Sequence, residues 1–237
     1  MKNKLKKTAT FLLDLLFPVT CLGCGKEGQW LCCSCLNKVE FNTNQVCPVC
    51  RQPSRKGQVC RQCRQKINLK SLLVICNYQD KIIQNAIHSL KYKYARDLKK
   101  FFNRIIYFYR QNNNINFPKN SVIIPIPLHK KREKWRGFNQ SLIIAGELSK
   151  ITKIPLAKNV LKRVKNTKSQ INLKAKQRQK NLANAFKVSR KLEILGKTAI
   201  LIDDVYTTGA TMNEAAKALK KAGVKQVKGL VIARNKI

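Results

Sequence analysis

From Ser71 onward the chain alternates short apolar runs with stretches of helical period. The run Leu72-Leu-Val-Ile-Cys76 predicts a strand over 71–77, with Cys76 as a small buried side chain. Asp80 is placed to cap a following helix that carries Ile82, Ile83, Ala86, Ile87 and Leu90 at helical spacing, with His88 on its surface. A second helix, roughly 95–110, has Leu98, Phe101, Phe102, Ile105 and Ile106 on one stripe. That spacing suits a core face better than a base-stacking platform. After a polar loop at 111–116, Val122-Ile-Ile-Pro-Ile-Pro127 reads as a buried strand ended by prolines, and a helix is predicted near 141–150. A strand at 198–202, a helix to about Ala222 and a strand at 226–233 form a further unit, with Thr211 and Glu214 as a capping box and Gly223 at the helix C′ position. Strands alternating with helices predict an α/β fold with a mainly parallel sheet. Ligands of such folds bind beyond the carboxyl ends of the strands.

The first third has a different texture. Eight of the ten cysteines form four C-x-x-C pairs: Cys21/Cys24, Cys32/Cys35, Cys47/Cys50 and Cys60/Cys63. Two thiolates at that spacing grip one metal from a tight knuckle, and two knuckles complete a tetrahedral site that usually takes zinc. Four pairs therefore imply two structural zinc sites, since four thiolates leave no open position for catalysis. Pairing in chain order gives two ribbons; a cross-braced arrangement is the alternative. Disulfides and an iron–sulfur cluster are the weaker readings. Cys33 lies beside Cys32, and the spacing to Cys35 favours Cys32. The segments expected are an amphipathic helix at 1–18, a cysteine module at 19–68 and an α/β domain at 71–237.

The net charge of +38 predicts attraction to polyanions rather than any particular fold. Between Glu147 and Glu193 fourteen residues are Lys or Arg and none is acidic. The run Phe11-Leu-Leu-Asp-Leu-Leu-Phe17 is short, broken by Asp14, and followed by no small-x-small cleavage site. With no apolar run long enough to span a bilayer, a cytoplasmic protein is expected, reaching a membrane only through partners.

The apolar run Ile200-Leu-Ile202 ends in Asp203 and Asp204, followed by Val205-Tyr-Thr-Thr-Gly-Ala-Thr211. Paired carboxylates can take ribose hydroxyls or a magnesium ion. The backbone N–H groups of Thr207, Thr208, Gly209, Ala210 and Thr211, with the following helix N-terminus, can face a phosphate. Upstream, Leu128–Ser141 carries Arg132, Arg136 and the compact group Arg136-Gly-Phe-Asn-Gln140. Guanidinium groups match phosphate oxygens bidentately. His129 is a weak candidate for a base.

The Asp-Asp loop resembles the phosphoribosyl pyrophosphate (PRPP) loop of type I phosphoribosyltransferases. Together with the cysteine module, Arg136–Gln140, Pro125-Ile-Pro127 and the series Arg163, Thr167, Gln170, Arg178, Asn181, Phe186, it is similar to the ComF family (ComFC and GntX-like proteins). The resemblance covers almost the whole chain. It implies a type I phosphoribosyltransferase-like sheet behind an N-terminal double zinc ribbon, and a role in DNA uptake and natural competence. It also implies that Asp203 and Asp204 contact the PRPP ribose, partly through magnesium. Thr207 to Thr211 would cradle the 5′-phosphate, Arg132 and Arg136 would face the pyrophosphate, and Arg163 and Arg178 would cover ligand or bind DNA.

Three functions compete. One is a cytoplasmic competence factor binding PRPP and single-stranded DNA, with a helicase or inner-membrane channel as partner. The second is an active phosphoribosyltransferase of nucleotide salvage, its acceptor unidentified. The third is a DNA-binding adaptor with a regulatory pocket.

Overall fold

Successive buried residues of the central strands point to alternate faces of the sheet, and the two faces carry separate cores. The computed structural model describes residues 18–90, 95–165 and 182–235. The expected N-terminal helix at 1–18 falls almost wholly outside these residues, as do Thr167, Gln170, Arg178 and Asn181. Strands β1 (Ser71–Asn77), β2 (Ser121–Pro125), β5 (Thr198–Tyr206) and β6 (Gln226–Arg234) form one parallel sheet in the order β1-β6-β5-β2. Ile75, Ile123, Ile200, Ile202 and Ile232 belong to one core. Val74, Ile124, Leu201 and Val231 belong to the other. A parallel sheet covered on both faces needs apolar residues at every position, which is why these strands read as continuous runs.

The first face is covered by α2 (Lys81–Ser89), α3 (Ala95–Asn113) and α5 (Gln140–Thr152). Asp80 caps α2 as expected, accepting from the N–H groups of Ile82 at 2.8 Å and Ile83 at 3.2 Å. Leu98, Phe101, Phe102, Ile105 and Ile106 of α3 are all buried, so the stripe is core. The second face is covered by α6 (Ala210–Lys221). Gly223 follows α6 with φ +92°. Its N–H reaches Lys220 O, and that of Val224 reaches Leu219 O, a Schellman closure.

The capping box does not form. Gly209 holds the cap position of α6, which puts Thr211 inside the first turn, and the Glu214 carboxylate accepts instead from Asn184 N–H at 2.8 Å. A two-stranded antiparallel ribbon, β3 (Leu161–Arg163) with β4 (Phe186–Val188), lies beside the sheet. Three-residue strands carry too little periodicity to be read from sequence.

The cysteine segments divide between the faces. Cys21, Leu31, Cys32, Cys35 and Leu36, the last three within or flanking the short α1 (Cys33–Leu36), pack into the first core. Cys47, Val59 and Cys63 pack into the second. The chain between them runs along the outer edge of β1. There the Gln45 amide imitates a strand, donating to Val74 O at 2.8 Å and accepting from Val74 N–H at 3.1 Å. Asn42 N–H reaches Ile75 O at 2.8 Å. This covers an edge that would otherwise expose unpaired backbone groups. Gly57 makes the close approach possible: with φ +66°, a Cβ there would lie 1.9 Å from Leu72 O.

Candidate functional site

The group Arg136–Gln140 builds a corner between two helices. The basic segment after Pro127 contains a helix, α4 (Lys130–Arg136), capped at its start by His129, whose Nδ1 accepts from Lys131 N–H at 3.3 Å. The His129 ring is engaged in capping, and its backbone forms a parallel bridge with Arg163. Gly137 ends α4 in the left-handed region with φ +81°, its N–H on Glu133 O at 2.7 Å. Phe138 packs against the first core. Asn139 caps α5 through Ser141 N–H at 3.1 Å and donates to Ile126 O at 3.0 Å. Gln140 accepts from Arg136 Nη1 at 2.6 Å. The motif therefore fixes where α5 starts relative to the end of β2.

That placement delivers Ser141 to the Asp pair. Ser141 is buried, and its hydroxyl donates to Asp203 Oδ1 at 2.8 Å. Strand β5 runs past the expected stop at Ile202 because β6 is equally long and pairs with it as far as Tyr206 and Arg234. Asp203 and Asp204 thus lie within a paired strand, near its carboxyl end, and are partly buried. Burial and the neighbouring Asp204 carboxylate push Asp203 up to about 8, against the hydrogen bond from Ser141 and the Asp204 N–H, which pull it down. Crowded negative charge of this kind favours a cation or a hydroxyl donor.

Thr207, Thr208 and Gly209 turn from β5 into α6, whose first residues are Ala210 and Thr211. Gly209 has φ +77°, and a Cβ there would lie 2.1 Å from the Tyr206 hydroxyl. Tyr206 therefore braces the turn from beneath. The Arg234 guanidinium lies 5.4 Å from the Tyr206 ring centre and donates to Pro48 O at 3.2 Å, inside the third cysteine knuckle. The first turn of α6 has N–H groups with no intrahelical acceptor, which can meet an anion.

Arg163 of β3 is nearly buried, its guanidinium 5.7 Å from the Phe186 ring centre. Burial and the charge of Arg132 hold its pKa down, while Asp203 raises it. Arg132, Arg163 and Asp203 therefore share one electrostatic neighbourhood although they come from α4, β3 and β5. Arg132 and Arg136 are both partly buried on α4.

The cysteines resolve into two clusters in chain order: Cys21, Cys24, Cys32 and Cys35, then Cys47, Cys50, Cys60 and Cys63. Within each, all sulfur atoms lie within 4.8 Å of one another. Cys24 and Cys32 stand 3.7 Å apart, as do Cys50 and Cys60. A tetrahedron with zinc–sulfur bonds of about 2.3 Å has sulfur spacings of about 3.8 Å. Burial opposes ionisation of Cys21, yet the backbone N–H groups of Cys32, Gly23 and Cys24 draw it down to about 6. Cys35 is pushed up to about 12, first by its hydrogen bond with Cys32 and then by burial. The second cluster repeats this, with Cys47 at about 6 and Cys63 at about 12. Four thiolates so close together need a dication between them, and the donor set fits zinc. Cys33 is left outside, exposed, with its sulfur 3.3 Å from Arg104 Nη2.

The phosphoribosyl transferase domain family matches residues 139–237, and the double zinc ribbon domain family matches residues 12–64. Competence protein ComFC of Bacillus subtilis is 30% identical over 205 residues, 84% of this chain and 81% of that one. The chain belongs to the ComF family. Competence protein F of Haemophilus influenzae is 29% identical, over 86% of this chain and 96% of its own. DNA utilization protein YhgH of Shigella flexneri is 28% identical, over 87% and 92%.

For this ComF-family chain, Ser141 is the site residue that sequence reasoning missed. It closed the basic segment with no role assigned. Its helical position after Asn139 was the available signal, but nothing in the spacing shows that this position faces a strand 62 residues away. Among the described residues no helix is long and apolar enough to cross a membrane.

Proposed function

We propose that this ComF-family protein binds PRPP at the carboxyl end of β5 and single-stranded DNA on its basic surface, on the cytoplasmic side of DNA uptake. The observation that carries the PRPP half is the hydrogen bond from Ser141 to Asp203, directly before the turn into α6. Asp203 and Asp204 take the ribose hydroxyls. Thr207, Thr208, Gly209, Ala210 and Thr211 wrap the 5′-phosphate. Arg132 and Arg136 meet the pyrophosphate. Magnesium fits the same carboxylates, because hard oxygen donors with excess negative charge suit it. When bound it would neutralise charge on the pyrophosphate. The DNA half is supported by the names of the relatives, competence and DNA utilization proteins, and by the net charge of +38. A helicase or inner-membrane channel of the competence machinery is the partner expected.

Calorimetry with PRPP and magnesium tests the site. The wild type is expected to bind and the Asp203→Ala/Asp204→Ala variant to lose binding; equal affinities would sink the proposal.

The intact Asp-Asp loop also favours a second reading, an active salvage phosphoribosyltransferase. There the acceptor's nucleophilic atom bonds to ribose C1, the C1–oxygen bond breaks, pyrophosphate leaves with the electron pair and the acceptor loses a proton. Pyrophosphate release in a screen of candidate bases separates the two readings.

A further inference from the structure

Trp135 is 76% exposed on α4. The helix carries Lys130, Lys131, Arg132, Lys134 and Arg136 and a single acid, Glu133. Lys131 and Arg132 precede Trp135 by four and three positions, so the indole stands between two cations on one face. An exposed indole adds nothing to the core, and none of its helix neighbours extends an apolar patch around it. The helix is nonetheless firmly placed: the Gly137 turn, the Arg136–Gln140 bond and the Asn139 cap tie its end to β2 and α5. Along its other side runs a groove of about 580 Å³ with Lys130 and Glu133 on one wall and Lys158, Lys162 and Arg163 on the other, so its cations outnumber its one carboxylate.

We infer that Trp135 is a stacking platform for a base of single-stranded DNA whose phosphates lie along Lys130, Lys131 and Lys134 of α4 and this groove. The inference rests on the DNA-binding reading above and assigns it a surface. Cations alone would attract any polyanion; the indole adds a π-face that only an unpaired base can use. In a duplex the base faces are already stacked. A helix of seven residues with one apolar side chain on its outer face has too little apolar area for a lipid surface.

The chain has two tryptophans, which makes the test direct. Trp30 Nε1 is buried without a hydrogen-bond partner among the described residues, so Trp30→Phe leaves no group unpaired and yields a protein whose only indole is Trp135. Titrating this variant with oligo-dT at low salt should quench its fluorescence. In the wild-type background, Trp135→Ala should weaken oligo-dT binding about tenfold with its salt dependence unchanged, and Trp135→Phe should restore part of the loss. Lys131→Ala and Lys134→Ala should each flatten the salt dependence by about 0.7 in log–log slope. Unchanged melting temperatures would show that these exposed variants still fold.

Wild-type protein that ignores oligo-dT at low salt overturns the DNA-binding reading itself. Wild-type binding that Trp135→Ala leaves intact overturns the platform alone. Equal quenching by duplex DNA or by anionic vesicles also overturns it.

Discussion

The Ser141 hydroxyl donates to Asp203 Oδ1 at 2.8 Å across 62 residues of chain. This bond joins the start of α5 to the end of β5. It opposes the burial that keeps the Asp203 carboxyl protonated. Ser141→Ala should therefore raise the Asp203 pKa further and weaken PRPP–magnesium binding at pH 7 about tenfold, the worth of one hydrogen bond to a charged group. Calorimetry at pH 7 and pH 9 checks this, and the deficit should shrink at the higher pH, where Asp203 ionises without help.

Asp203 also makes stability depend on pH. Its pKa rises from the ordinary 3.8 to about 8 on folding. A raised folded pKa means that its stabilising contribution is complete below 3.8 and is lost as pH climbs through about 8. Asp203→Asn removes the titration. Its melting temperature should gain on the wild type between pH 5.5 and pH 8.5, measured without PRPP or magnesium; a constant difference would count against the shift.

Two zinc ions per chain are expected by metal analysis. Cys32→Ser should lower the content to one and destabilise the first core, to which Cys21, Cys32 and Cys35 belong together with Phe101 and Phe102. Cys33→Ser should keep both ions, because its sulfur lies outside the cluster. Stripping both metals should unfold the chain, since a structural zinc contributes about 10 kcal/mol or more.

Gly209→Ala meets two penalties. The left-handed φ of +77° costs about 1–2 kcal/mol for a residue with a Cβ, and that Cβ would strike the Tyr206 hydroxyl. The variant should melt several degrees lower and lose PRPP affinity. Adding Tyr206→Leu should recover part of both, by removing the hydroxyl and the ring carbons Cζ and Cε2 that the Cβ would meet at 2.5 and 3.0 Å, but not the backbone strain. Differential scanning calorimetry of the single and double variants reads the two penalties separately.

Several elements were legible in the sequence because they depend on local periodicity and local chemistry. The strands expected at 71–77 and 226–233, the Asp80 cap, the buried stripe of α3, the Gly223 closure and the four C-x-x-C pairs all follow from residues within a few positions of one another. The resemblance carried by Arg136–Gln140 and the Asp-Asp loop identified the family for the same reason. Tertiary structure decided what depends on meetings between distant segments. Pairing with β6 carried β5 on to Tyr206, and Asn184 took Glu214 away from the expected capping box. Sulfur geometry chose sequential pairing and Cys32 over Cys33. The two cysteine clusters plug into opposite faces of one sheet, with Gln45 sealing the edge between them. Ser141 became part of the site only when the corner at Gly137 aimed α5 at Asp203. Sequence fixes what each segment can bury or donate; which partner it meets is set by competition among all segments for the same two faces of the sheet.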